Sequence, residues 1–231
     1  MQVEIWSDVM CPFCYIGKRR FESALAKFDH KEDIQITWKS FQLNPDMVTD
    51  PGKNIDQYLA EAKGWSLKQA QDANAYVTNM AKEAGLTYHM DKAIVANSFD
   101  AHRLSHLAKK HGVQDAVEEL IFAAYFTEGK NTADHDTLVE IGVKGGLEET
   151  EIRTMLAGTE YAQEVEHDIY ESQQIGVRGV PFFVFDRKYA VSGAQESSAF
   201  LQALSRSYAE TAKLTDLSEG AVCGPGGCDP A

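Results

Sequence analysis

Residues 7–25 read SDVMCPFCYIGKRRFESAL, and the two cysteines in this stretch, Cys11 and Cys14, are separated by only two residues. Just upstream, residues 3–7 (VEIWS) form a short apolar run of the kind that makes a buried strand. Downstream, Phe21, Leu25 and Phe28 recur at helical spacing with no interrupting proline, which predicts a helix from about Pro12 to Phe28. Pro12 suits the first turn of that helix, where its missing N–H costs nothing. The pair therefore sits where a strand hands over to a helix. Unpaired amides and the helix dipole at such a junction stabilise a thiolate, which makes Cys11 the expected nucleophile. Cys14, one turn further on, is placed to attack a mixed disulfide formed at Cys11. A bare C-x2-C also suits a metal, but the strand-to-helix setting favours redox chemistry.

Working outward, residues 33–41 (DIQITWKSF) alternate Ile34, Ile36 and Trp38 on one face, the signature of a second strand. Strand, helix and strand within about 40 residues make a βαβ opening. The next stretch, to about Gln174, is rich in Ala, Glu, Lys, Gln and Leu and carries no convincing strand. Helices are expected over residues 65–85, 98–112 (capped by Ser98 or Asp100), 113–129, 135–146, from 147, and over 160–176. Strands return in VPFFVFD (180–186) and YAVSG (189–193), joined by the turn DRK as a β-hairpin. ESSAFLQALSRSYAE (196–210) reads as a last helix, anchored by Phe200, Leu201 and Leu204. The expected plan is an α/β domain of residues 1–48 and 175–210, an all-helical insertion of 49–174, and a Gly- and Pro-rich flexible tail of 211–231.

The chain has 231 residues, 44% of them hydrophobic, enough for a sizeable core. Its 22 basic and 35 acidic side chains give a formal charge of -13. Such a field repels nucleic acid and anionic membranes and favours neutral or basic partners. No apolar run reaches membrane-spanning length, and MQVEIWSDV shows no basic-then-apolar leader, so a cytoplasmic location without membrane association is expected. In a reducing compartment, permanent structural disulfides are the less expected use of four cysteines.

A second element is GVRGVPFFVFD (176–186), where Pro181 stands at the start of an apparent core strand. Either it begins an edge strand as an ordinary trans proline, or a cis Val180–Pro181 bond sets backbone groups beside the dithiol. Asp8, three residues before Cys11, either influences thiol protonation or satisfies backbone groups after the strand. Phe13, between the cysteines, is a candidate to flank a substrate; Trp6 and Tyr15 read as core. The tail carries AVCGPGGCDP, in which Cys223 and Cys228 either close a small loop, relay electrons to Cys11, or do little. A four-thiolate zinc site is the rival use of the four cysteines, but such sites usually show C-x2-C twice, and C-x4-C fits less well. There is no H-E-x-x-H, and VKGGLEE lacks the Lys-Ser/Thr ending of a phosphate loop. No metal and no cofactor beyond the thiols is expected.

Taken together, the CPxC dithiol after the first strand, the helical insertion and the late GVRGVPFFVF segment resemble the DsbA-like branch of the thioredoxin superfamily. The likeness is greatest to its FrnE-like thiol-disulfide oxidoreductases. NSFDAHRL (97–104) and SGAQ (192–195) resemble further stretches of that subgroup. The resemblance implies a thioredoxin-like fold with a large inserted all-helical domain. It further implies a Cys11–Cys14 active site faced by a cis Pro181, with Val180 offering backbone hydrogen bonds to a bound chain. Pro12, Phe13 and Asp8 would border the site. Asn97, His102 and Arg103 lie in a region that faces the site in this family, although His102 and Arg103 also suit a salt-bridged helix surface. The implied partners are protein disulfides or thiols, and glutathione. The same branch includes 2-hydroxychromene-2-carboxylate isomerases and kappa-type glutathione transferases, which typically carry serine where Cys11 stands. A glutathione-dependent transferase or isomerase of small aromatic substrates is thus the alternative enzyme. A non-catalytic, chaperone-like binding module is the alternative of another class.

Overall fold

The computed structural model describes residues 1–218 and, beyond them, the backbone of 223–224 and 227–228; side chains are described through residue 211. Strand β1 (Gln2–Ser7) leads through Cys11 into helix α1 (Pro12–Leu25), and strand β2 (Gln35–Ser40) follows. β2 runs parallel to β1, in register from Gln2 opposite Gln35 to Ser7 opposite Ser40. Parallel pairing needs a crossover, and α1 supplies it. Seven helices follow: α2 (Ile55–Lys63), α3 (Leu67–Glu83), α4 (Phe99–Lys110), α5 (Gln114–Ala123), α6 (His135–Lys144), α7 (Glu149–Ala157) and α8 (Ala162–Gln174). The chain then makes strands β3 (Phe182–Phe185) and β4 (Tyr189–Ser192) and ends its described helices with α9 (Ser197–Ser218).

The four strands form one sheet in the order β2-β1-β3-β4, with β3 antiparallel to both β1 and β4. Asp186 and Arg187 adopt positive φ of 46° and 56°, the backbone a tight hairpin turn demands. Alternate residues point to opposite faces of the sheet. On one face Phe183 and Phe185 meet Phe21 of α1 and Phe200 of α9, with the Phe183 and Phe200 rings 4.6 Å apart. On the other, Trp6 and Lys39 meet Asp168 of α8, whose carbonyl accepts the Trp6 indole N–H at 3.0 Å. The buried apolar side chains of the sheet and of the inserted helices make one continuous cluster, from Val3 and Ile5 to Leu104, Phe122 and Leu156.

Four details differ from the expectations. α2 was not foreseen, although Asn54 caps it by accepting the Asp56 and Gln57 N–H groups and Gly64 ends it with φ 67°. The expected helix over 113–129 changes at Ala124 into a π-helical turn of five residues, where the Phe126 carbonyl accepts the His89 N–H at 2.7 Å. Ser98 occupies the N-cap position of α4 without a side-chain cap, and the Asn97 side chain accepts the Phe99 N–H instead. α9 continues to Ser218, past the expected end near 210, because TAKLTDLS adds helix formers and no breaker. Of the expected flexible tail, the part beyond 218 lies outside the described residues, except that Cys223–Gly224 and Gly227–Cys228 pair as an antiparallel two-stranded ladder with Cys223 opposite Cys228.

Candidate active site

β1 delivers the chain to Asp8, and the Cys11 N–H bonds back to the Asp8 carbonyl at 3.0 Å. That turn sets Cys11 at the N-cap of α1, with extended φ and ψ of -85° and 110° and with Pro12 opening the helix. The Cys14 N–H then bonds to the Cys11 carbonyl at 3.0 Å. Both thiols are free and buried, Cys11 at 4% exposure and Cys14 at 0%. Of the two, Cys11 is the more exposed. Burial, followed by the adjoining Cys11 sulfur, pushes the Cys14 thiol well above its ordinary value. The neighbouring polar groups of Ser7 and of the Asp8 backbone act in the opposite direction.

The loop before β3 closes the other side. The Val180–Pro181 bond is cis, and the Cys11 thiol donates to the Val180 carbonyl at 3.4 Å. Gly17, one turn beyond Cys14, makes that approach possible, since a Cβ there would lie 2.8 Å from Pro181 Cγ and 3.5 Å from the Phe183 ring. Helix interiors disfavour glycine, so its position in α1 signals close contact with a neighbouring element. Gly17→Ala is expected to cost about 1–3 kcal/mol through overpacking and to slow thiol exchange by displacing Pro181. Urea denaturation and an exchange assay on the same variant check both.

The inserted helices roof the site. The Tyr88 hydroxyl, from the segment after α3, donates to the Pro12 carbonyl at 2.7 Å, and burial first, then the two cysteines, raise its pKa and keep it a neutral donor. Its ring stacks on Phe126 at 4.6 Å, and Tyr15 stacks on Phe122 at 5.1 Å. Tyr88 also lines a cleft of ≈ 370 Å³ with Asp56, Asn74, Thr78, Met90 and Asp91, so the cleft adjoins the dithiol through this one residue. Phe13 is 38% exposed beside the cysteines.

Asp8 is fully buried: its Oδ2 accepts the Leu43 N–H at 2.7 Å, and its Oδ1 lies 3.5 Å from His102 Nε2. His102 Nε2 also lies 3.0 Å from the Phe41 carbonyl. The two residues thus meet behind the dithiol, and neither lies on a solvated helix face. Asn97 sits further off and braces the loop after β2, donating to the Pro45 and Met47 carbonyls. Arg103 is buried, but its guanidinium bonds the Glu160 and Gly158 carbonyls at 2.8 Å and pairs with Asp100, so its contacts tie α4 to the end of α7 and do not include the dithiol. Cys223 and Cys228 have no described side chains, and any contact with Cys11 lies outside the described residues. His167, Asp168 and Glu171 place possible ligand atoms within 4.8 Å of one another, and Lys39 supplies the positive charge there by pairing with both acids. Gly17, Tyr88, Leu43 and Ser7 were missed from the sequence. Only Gly17 carried a signal, as a glycine inside a helix.

A dithiol at a strand-to-helix junction, faced by a cis-proline loop and roofed by inserted helices, defines a DsbA-like thioredoxin fold. Residues 2–205 match the family model of the DSBA-like thioredoxin domain, and the chain belongs to that family. A probable DsbA oxidoreductase, SCO1869 from Streptomyces coelicolor, is 37% identical, with a TM-score of 0.85 over 100% of this chain and 99% of that one. A 2-hydroxychromene-2-carboxylate isomerase has a TM-score of 0.65 at 17% identity over 93% and 99% of the two chains. The cytosolic disulfide reductase DsbM from Pseudomonas aeruginosa, solved with GSH, has a TM-score of 0.60 at 14% identity over 94% and 100%. The last two likenesses are of fold. Among the described residues, no helix is long and apolar enough to cross a membrane.

Proposed function

We propose that the protein is a thiol-disulfide oxidoreductase working through Cys11 and Cys14. The observation that carries the reading is the pairing of a helix-capping Cys11 against the Val180 carbonyl and cis Pro181 with a fully buried Cys14 one turn below. In the reducing direction the Cys11 thiolate attacks a substrate disulfide, a Cys11–substrate S–S bond forms, and the first substrate thiolate leaves. Cys14 then attacks the Cys11 sulfur, its proton passes to the departing second thiolate, and the Cys11–Cys14 disulfide closes. Two electrons have moved to the substrate, and the reverse sequence oxidises a substrate dithiol. The direction is set by the potential of the couple against that of its compartment.

Val180 and Pro181 border the groove in which an extended substrate segment would lie, and Pro12 and Phe13 form its other edge. Protein disulfides are the favoured substrates, with glutathione as the small-thiol partner, a pairing that the likeness to cytosolic DsbM supports along with a cytoplasmic place of action. Cys223 and Cys228, paired in the tail ladder, are in this reading a second dithiol that exchanges with the first.

The test is to equilibrate the protein over a series of glutathione redox ratios, trap the thiols and map all four cysteines by mass spectrometry. A reversible Cys11–Cys14 couple is expected. A persistent glutathione adduct at Cys11 with no such couple would turn the assignment toward the glutathione-dependent isomerase or transferase.

A further inference from the structure

Among the described residues, five buried side-chain polar atoms lack a hydrogen-bond partner, and two of them, Asp8 Oδ1 and Ser7 Oγ, belong to the turn that carries the dithiol. An unbonded oxygen on a fully buried carboxylate is costly unless a charge compensates it. The Leu43 N–H at Oδ2 is a neutral dipole and covers only part of that need. His102 Nε2 stands 3.5 Å from the orphaned Oδ1, and the Phe41 carbonyl at 3.0 Å requires that this nitrogen carry a hydrogen.

The groups facing the pair come from every neighbouring element. α5 contributes Glu118, whose carboxyl is buried, accepts the Ser105 hydroxyl at 2.5 Å and is held toward its neutral form first by burial. The π-helical turn contributes Tyr125, kept neutral by burial and then by the Asp8 charge. The loop after β2 contributes the Phe41 carbonyl and the Leu43 N–H, and the turn that follows Asp8 leads to Cys11. Lys18 and Asp115 act on Glu118 in turn. His102 is therefore the group in this ring that can carry positive charge. Burial works against its protonation, but the adjoining Asp8 carboxylate, Glu118 and the Phe41 carbonyl outweigh it and raise its pKa.

We propose that His102 is a positioning residue of the dithiol: as a buried imidazolium paired with Asp8 it cancels the carboxylate charge behind Cys11 and Cys14, and so sets how strongly the reduced form is favoured. This rests on the dithiol function proposed above. The Asp8 backbone is coupled to the dithiol, since its carbonyl accepts the Cys11 N–H at 3.0 Å and its main chain works to lower the Cys14 pKa. A bare carboxylate on that residue opposes a thiolate, which exists only in the reduced state. His102 touches neither substrate nor sulfur, and it acts through Asp8.

The experiment compares wild type, His102→Gln and the double variant Asp8→Asn/His102→Gln in glutathione buffers at pH 7. His102→Gln is expected to need a buffer about ten-fold more reducing for half-reduction, the size of one pK unit of interaction. Removing the carboxylate as well is expected to bring the midpoint back to within about two-fold of wild type. An unmoved midpoint in His102→Gln, or a shift that persists in the double variant, overturns the proposal. A second measurement needs no variant. By reciprocity of linkage, the His102 ring in wild type must titrate at higher pH in the reduced protein than in the oxidised one, and equal midpoints by NMR overturn the proposal. A wild type with no reversible Cys11–Cys14 couple overturns the dithiol function and this inference together. A normal couple with an unmoved His102→Gln overturns this inference alone.

Discussion

Cys11→Ser is expected to lower turnover of a model disulfide by more than about 10³-fold, since in the proposed mechanism it removes the group that forms the covalent intermediate. Cys14→Ser is expected to behave differently. It leaves the attacking thiol at the N-cap of α1 but removes the buried sulfur that releases the product. The mixed disulfide at Cys11 should therefore accumulate, visible by non-reducing electrophoresis and by mass spectrometry as Cys11 joined to substrate. The asymmetry follows from exposure, because the fully buried Cys14 cannot exchange with an outside disulfide. The rival chemistry makes the opposite prediction. A glutathione-dependent isomerase on this fold should tolerate serine at position 11, and a chaperone-like module should protect clients equally well with both cysteines replaced.

The second large effect is on stability. Asp168 of α8 is nearly buried and accepts the Ser40 N–H at 3.0 Å, lies 3.1 Å from His106 Nε2 and pairs with Lys39. It joins α8 and α4 to β2 beneath the Trp6 indole. Asp168→Ala strands the largely buried Lys39 and His106 without their partner, and loss of one member of such a cluster costs about 3–5 kcal/mol. The loss should appear as a lower urea midpoint with an unchanged slope. Burial tends to raise the Asp168 pKa, but the bonds from His106 and Lys39 prevail and hold it below its ordinary value. A carboxylate with a depressed folded-state pKa stabilises the fold above its unfolded value. Its contribution should therefore be complete above about pH 4 and disappear as pH falls further toward the folded pKa. Wild type should lose more stability than Asp168→Asn over that acid range.

Much of this protein was legible in one dimension. The apolar run before Cys11, the helical spacing after it and the alternation of Ile34, Ile36 and Trp38 are local patterns, and they prescribe β1, α1 and a parallel β2. The DRK turn prescribes the β3–β4 hairpin for the same reason, since positive φ at Asp186 and Arg187 is a local backbone demand. The placing of Cys11 and Cys14 at the start of α1 was readable because spacing and the helix start are both sequential. What the sequence left open depended on contacts between segments far apart. Pro181 could have been trans or cis until β3 was seen seated against α1, with Gly17 leaving room for its ring. His102 and Arg103 are neighbours on α4, yet the twist of one helix sends the first to Asp8 and the second to the α7 terminus. No pattern separates them, because helical periodicity tells which residues face inward but not what they face there. Tyr88 meets Pro12 across 76 positions. Local propensity and periodicity thus set the strand-helix frame and put the cysteine pair at its junction; long-range packing set which buried groups surround that pair, because only the folded chain brings them to it.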